Sequence, residues 1–314
     1  MQIFIIGGAV LVLCVLCLFI RRASTRKAPQ AVQYTYYRDL RYGTHERHVL
    51  DVSIPYAHSF DGVILFIHGG IWMYGNKSDY PVFLDVFRDK FITVSMSHRY
   101  IDENTHIADL EEDVSAAVAF IQRFCQERKA DAKNLIIMGH SSGAHLSMMY
   151  AYKRSETSPI PIAFCVDMAG PSDLSDIAFL YNFKKLRWLK LFYKVAEKAT
   201  GYRPEEGDIT AEGYSETGQK LMSAISPLSF ITKQTPPTII VHDVTDSLVP
   251  YSNSAALHSV LNVYGVDHSL IALYSGIGHF LGAKKIKGGG LHYNKAMAVR
   301  LVKVMHEYME KYCK

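Results

Sequence analysis

The chain has 314 residues, 49% of them hydrophobic and 20% charged, which fits one large α/β domain with a sizeable core or at most two small ones. A formal net charge of +4 is too modest to argue for a nucleic-acid partner or an acidic substrate. Of the five cysteines, Cys14 and Cys17 face no second C-x-x-C pair, which argues against zinc, and Cys125, Cys165 and Cys313 read as free thiols of a reducing compartment.

Ile3 to Ile20 carries no charged residue and is just long enough to cross a bilayer. Arg21, Arg22, Arg26 and Lys27 follow at once. A signal peptide would carry its charge ahead of the apolar run, so an uncleaved anchor over 1–22 is expected. The positive flank places the following domain on the cytoplasmic side, on an endomembrane such as ER or Golgi or another membrane. Asn76-Lys77-Ser78, a glycosylation sequon that would matter only in a lumen, runs against that orientation. Residues 23–33 read as a short tether.

From there the predicted elements alternate. Strands are expected over 49–54 (ended by Pro55), 62–67, 91–96, 135–138, 162–166, 238–242 and 268–274. Helices are expected over 83–91, about 107–128, from Ala144 onward, and about 294–312. Strands alternating with helices predict a mostly parallel, doubly wound sheet in a domain spanning 34–314. Residues 171–234 interrupt the alternation. Within them Phe179 to Lys198 is rich in aromatics and bases, Trp188 among them. It reads either as an amphipathic helix with solvated lysines or as a cap whose basic face touches anionic lipid.

The chemistry-bearing residues sit at strand ends. Gly139-His140-Ser141-Ser142-Gly143 joins the 135–138 strand to a helix, the context in which G-x-S-x-G lifts a serine Oγ out of the sheet. Ser141 holds the nucleophile position; glycine at 139 and 143 removes Cβ atoms that would clash in so tight a turn. His68-Gly69-Gly70 follows the 62–67 strand, where Gly69 and Gly70 N–H groups, with that of Ser142, could face a substrate oxyanion. Trp72 and Tyr74 are expected to line the acyl pocket. Among 14 histidines, His279 stands out behind Ser275-Gly276-Ile277-Gly278, directly after the last strand. His145 and His242 are expected to be structural. The carboxylate that orients the base is Asp246, with Asp243 its rival and, failing that, a brace for the loop.

These motifs resemble the α/β-hydrolase superfamily, whose Ser…Asp…His order the chain repeats. The group most similar carries His-Gly-Gly-x-Trp, Gly-x-Ser-x-Gly-(Gly/Ala)-His and Asp-x-x-Val-Pro. It includes acetyl-xylan-type and other small esterases, arylformamidases and prenylcysteine methylesterases. The resemblance covers about Tyr42 to the C-terminus: His68 to Trp72, Gly75 to Ser78, Gly139 to His145, Ser226-Pro227, Asp246 to Pro250 and Gly278-His279. His242-Asp243 departs from the His-Gly usual in that group. The prenylcysteine methylesterases are similar also in joining a membrane segment to this domain.

The resemblance implies an α/β-hydrolase fold with a small helical cap. It also implies a serine carboxylesterase that uses no metal or organic cofactor. The expected partners are a small-molecule or lipid-borne ester, such as a prenylcysteine methyl ester, and the membrane through residues 3–20. An arylformamide hydrolase, or a non-catalytic binding protein on the same scaffold, are the alternatives.

Overall fold

The apolar runs of the sequence become strands buried from end to end. A computed structural model describes residues 33–56, 60–130, 132–179, 194–202, 205, 207–210 and 213–313. In chain order the strands are β1 (Tyr34–Arg41), β2 (Val49–Pro55), β3 (Gly62–Ile67), β4 (Phe91–Met96), β5 (Leu135–His140), β6 (Ile162–Met168), β7 (Ile209–Thr210), β8 (Gly213–Tyr214), β9 (Thr238–Asp243), β10 (His268–Leu273), β11 (Lys284–Lys285) and β12 (Leu291–His292). The helices are α1 (Ile107–Glu127), α2 (Ser142–Lys153), α3 (Glu216–Ala224), α4 (Ser252–Tyr264) and α5 (Lys295–Tyr312). The main sheet has eight strands in the order β1-β2-β4-β3-β5-β6-β9-β10. β2 pairs antiparallel with β1 and β4, and the other pairs are parallel. This is the fold the alternation predicts.

Both faces of the sheet are covered. Val63, Leu65 and Ile67 of β3 pack in one core with Val114, Ala117, Val118 and Ile121 of α1. Ile64 and Phe66, one residue out of phase, pack in the other with Leu301 and Met305 of α5. The period of two sends successive side chains to opposite faces, and because both are buried the strand reads as an unbroken apolar run.

The expected helix over 83–91 is corrected to a single 3-10 stretch, Val82–Phe87. Its i→i+3 bonds, Arg88 N–H to Asp85 O and Lys90 N–H to Phe87 O, turn the chain at once into β4. Phe91 belongs to that strand. Strand β1, and α3 and α4, are additions that the periodicity did not pick out.

Among the side chains that hold the described parts of the 171–234 insertion, Asn253 ties it to the main domain and Ser226 braces it from within. Asn253 Oδ1, at the start of α4, accepts from Ser172 N–H and Asp173 N–H, each at 2.9 Å. Ser226 Oγ accepts from Leu174 N–H at 2.8 Å and donates to Met222 O at 2.7 Å, a role for the Ser226-Pro227 pair. Cys125, Cys165 and Cys313 are free thiols, as expected. Among the described residues no helix is long and apolar enough to cross a membrane. The expected anchor over 1–22, the tether except Gln33, and residues 180–193 including Trp188 lie outside the described residues.

The tightest crossing lies where α2 leaves β5. A Cβ on Gly143 would stand 2.1 Å from the Ile67 carbonyl oxygen and 2.4 Å from that of His68. Both contacts are backbone, so neither can swing away. Gly143→Ala is therefore expected to lower folding stability by about 1–3 kcal/mol, the usual cost of overpacking, measured as a reduced urea midpoint. An unchanged midpoint would contradict the crossing.

Candidate active site

Ser141 stands between β5 and α2 with φ 56° and ψ −125°, a conformation that costs a non-glycine residue on the order of 1–3 kcal/mol. The strain is held by backbone bonds on both sides: Ser141 N–H donates to Met168 O at 2.8 Å, and His145 N–H donates to Ser141 O at 3.0 Å. The side chain is thereby lifted clear of the helix that follows it.

His279 reaches Ser141 from the loop after β10. Its Nε2 lies 2.8 Å from Ser141 Oγ and its Nδ1 lies 2.7 Å from Asp246 Oδ2. A carboxylate only accepts, so Nδ1 carries the proton and Nε2 is left to accept from the serine hydroxyl. Asp246 Oδ1 accepts the backbone N–H groups of Leu248 and Val249, at 2.8 and 2.9 Å. Burial pushes this carboxyl up, but the hydrogen bonds from His242 and His279 outweigh it and hold Asp246 well below the usual carboxylate range. It is therefore an anion at neutral pH, buried beside the imidazole whose charge it can offset.

Two further side chains set the His279 loop. Asp243 Oδ2 accepts from Ser275 Oγ at 3.1 Å and from Ile277 N–H at 3.3 Å, while Oδ1 accepts from Thr245 N–H at 2.9 Å. Asp243 thus braces the loop and does not meet His279, so the departure from His-Gly is accommodated by the loop it supports. His140, inside the serine turn, donates from Nε2 to the His279 carbonyl oxygen at 2.9 Å. Burial, with His279 close by, pushes His140 down to about 4, so its ring is neutral at neutral pH.

The other side of Ser141 is built by the residues after β3. His68 Nδ1 lies 2.9 Å from Gly69 O and donates to it. Because the peptide is planar and trans, pinning this carbonyl turns the Gly70 N–H the opposite way. Gly70 has φ 130°, and a Cβ there would stand 2.3 Å from Tyr74 O, so only glycine fits. Its own carbonyl closes the turn, accepting from Met73 N–H and Tyr74 N–H. Ser142 opens α2, where a backbone N–H has no partner within the helix. Gly69, Gly70 and Ser141 line one cavity, and Ser142 lines its neighbour.

Two cavities meet at Ser141, sharing Ile71, Leu248 and His279 as walls. The first, about 120 Å³, is apolar, with Trp72, Leu174, Phe179, Met222, Ile225 and Val249 around it. The second, about 420 Å³, is more open and polar, with Tyr74, Asp79, Phe280, Lys285 and Tyr293. Trp72 and Tyr74, both expected at the acyl pocket, line the two different cavities. Consecutive positive φ angles at Ile71 and Trp72, 53° and 56°, twist the chain between them. Trp72 is buried and Tyr74 is exposed at the other mouth. His145 is structural as expected: it accepts from Trp72 Nε1 at 3.2 Å and donates to Ile225 O at 2.7 Å.

A family model, BD-FAE, matches residues 50–261. The chain belongs to the BD-FAE family. Ser141 and Asp246 lie inside the stretch matched to BD-FAE and His279 beyond it. Isoprenylcysteine alpha-carbonyl methylesterase of Arabidopsis thaliana is 22% identical over 267 residues, covering 79% of this chain and 58% of that protein. A probable carboxylic ester hydrolase, LipM of Mycobacterium tuberculosis, is 26% identical over 197 residues, covering 60% and 42%. The chain spans about half the length of most of the first of these curated relatives. Among solved structures, a truncated carbohydrate esterase from gut microbiota superposes with a TM-score of 0.65 at 19% identity, over 90% of this chain and 99% of that one. A bacterial heroin esterase gives 0.65 at 16%, over 96% and 90%. The fold is that of the α/β-hydrolase carboxylesterases.

Sequence reasoning missed His140 and Asn253, whose partners are backbone groups distant in sequence. No local motif announces such contacts.

Burial gives a pH signature. His68, His140 and His145 are each pushed down to about 4, chiefly because burial disfavours the charged ring. An unfolded histidine titrates near 6.5, so between these values the unfolded chain binds more protons than the folded one. Stability must then rise with pH. It is fully present above about pH 6.5 and lost as pH falls toward 4. Tm is expected to fall steadily over that interval in differential scanning calorimetry; a flat Tm from pH 7 to 4.5 would contradict it.

Proposed function

We propose that this protein is a serine carboxylesterase acting through Ser141, His279 and Asp246. The observation that carries the reading is the buried series Ser141–His279–Asp246, hydrogen-bonded throughout and standing where two cavities meet. Ser141 Oγ attacks the ester carbonyl carbon while its proton passes to His279 Nε2. Asp246 keeps the Nδ1 proton in place and offsets the imidazolium. Negative charge gathers on the carbonyl oxygen, where the N–H groups of Gly69, Gly70 and Ser142 stabilise it. His279 then protonates the departing alcohol. In the second half it takes a proton from water, whose oxygen attacks the acyl carbon; the bond to Ser141 Oγ breaks and His279 returns the proton to that oxygen. The steps balance with water as the sole co-reactant.

The two cavities divide the ester. An engineered apolar cavity of about 150 Å³ holds benzene, so the first cavity, at about 120 Å³, suits a ring or a short chain. A prenyl chain is much longer and would extend out of it. The aromatic walls Trp72 and Phe179 favour the second reading equally, hydrolysis of an arylformamide by the same groups. A lipid-borne ester draws its support from the uncharged Ile3 to Ile20 stretch and from the plant methylesterases' names. In this reading residues 3–20 anchor the chain and the domain faces the cytoplasm. The aromatic and basic Phe179 to Lys198 segment would add a second membrane contact.

Two sets of measurements test these claims. Ser141→Ala should lower turnover of a p-nitrophenyl ester on the order of 10⁶-fold, as in subtilisin. Ser142→Ala keeps its backbone N–H and should stay within about tenfold, roughly 1.4 kcal/mol of barrier. Asp246→Asn should cost on the order of 10⁴, as for the trypsin triad, and Asp243→Asn far less. A dead Asp243→Asn beside a normal Asp246→Asn, both folded, would reverse the assignment. Separately, the full chain should resist alkaline carbonate extraction from membranes; recovery in the carbonate supernatant would remove the anchor from the reading.

A further inference from the structure

His242 makes no hydrogen bond to Ser141 and lines neither cavity, yet it is fully buried and both its ring nitrogens are engaged. Nε2 lies 3.0 Å from Asp246 Oδ2 and 3.1 Å from the Val249 carbonyl oxygen. Both neighbours only accept, so Nε2 carries the proton and donates to them. Nδ1 is left to accept from Ser254 Oγ–H, at 2.6 Å. Asp246 Oδ2 thus receives two imidazole N–H groups, from His242 and from His279.

The two oxygens of Asp246 are fixed by different means. Oδ1 is held by the backbone of Leu248 and Val249, on the same loop as Asp246 itself. Those bonds anchor one oxygen and leave the carboxylate plane free to swing about it. The His242 N–H comes from β9, a strand paired on both sides by β6 and β10, and fixes Oδ2 from outside the loop. Val249, the second acceptor, is also a wall of the apolar cavity. One imidazole therefore ties the acid and the substrate wall to the sheet.

On these grounds, and resting on the triad reading above, we infer that His242 is a positioning residue for ester hydrolysis: Ser254 orients His242, His242 orients the Asp246 carboxylate, and Asp246 holds His279 in line with Ser141. No proton leaves His242 during turnover. Its contribution is geometric, and a misplacement of about 1 Å at such a site costs on the order of 10²-fold in rate.

The test uses the full chain and p-nitrophenyl acetate, with rates normalised to active sites titrated by a fluorophosphonate. His242→Leu should lower kcat on the order of 10²-fold and change KM much less, because Val249 is one wall among several of the apolar cavity. His242→Gln carries an amide whose nitrogen reaches the place of Nε2 and can donate to both Asp246 and Val249. It should restore kcat to within about tenfold of wild type. Should the leucine variant fail to fold, His242→Asn serves in its place, a polar side chain too short to reach Asp246. A folded leucine or asparagine variant with wild-type kcat per active site overturns the inference. So does an equal loss in the glutamine variant, since a merely structural ring would not be rescued. A wild-type chain that neither turns over ester nor takes the fluorophosphonate overturns the triad reading and this one with it. An active wild type with unaffected variants overturns this one alone.

Discussion

The site depends on one backbone contact, the approach of α2 to the end of β3 at Gly143. No side chain fits between Gly143 and the carbonyls of Ile67 and His68. Strand pairing sets the end of β5 beside the end of β3, and glycine at 143 lets α2 pass close over them. Ser141, on the first, then stands next to Gly69 and Gly70, on the second. The residues proposed as nucleophile and oxyanion donors are thus brought together at the ends of paired strands. The same crossing imposes the positive φ at Ser141, and the fold holds that strain with hydrogen bonds to Met168 and His145.

Around this point the protein buries many ring nitrogens and one key anion. His68, His140 and His145 are kept neutral by burial, and each donates to a backbone carbonyl from a single nitrogen. They act as rigid, uncharged spacers that aim the Gly69 peptide, the His279 backbone and the cap-side Ile225. Asp246 is the exception. Its charge survives burial because four donors converge on it, two from backbone and two from imidazoles. An anion so arranged sits where an imidazolium would form at His279, which is the electrostatic condition acyl transfer needs.

Much of this was legible in the sequence because it is written in local patterns. Unbroken apolar runs mark strands buried on both faces, and the Gly-x-Ser-x-Gly turn between strand and helix marks Ser141. The glycine-rich loop after the last strand marks His279. Asp246 could be ranked above Asp243 from the loop it occupies, and Asp243 indeed braces that loop. What stayed hidden depends on contacts distant in sequence. The helix expected over 83–91 had the right composition, but its residues form a 3-10 stretch over Val82–Phe87 and Phe91 already belongs to β4. Trp72 and Tyr74, two residues apart, fell into different cavities because two successive left-handed residues separate them. His140 reaches its partner across 139 positions, a distance that no periodicity spans.

The central claim is that Ser141 Oγ becomes acylated and is then freed by water. The most direct measurement is rapid acid quenching of the full chain during turnover of a p-nitrophenyl ester, followed by peptide mass spectrometry. The account expects a burst of nitrophenol and one acyl group on the peptide carrying Ser141, with fragmentation placing it on that residue. Turnover with no covalent adduct, or an adduct confined to Ser142 or another side chain, would contradict it.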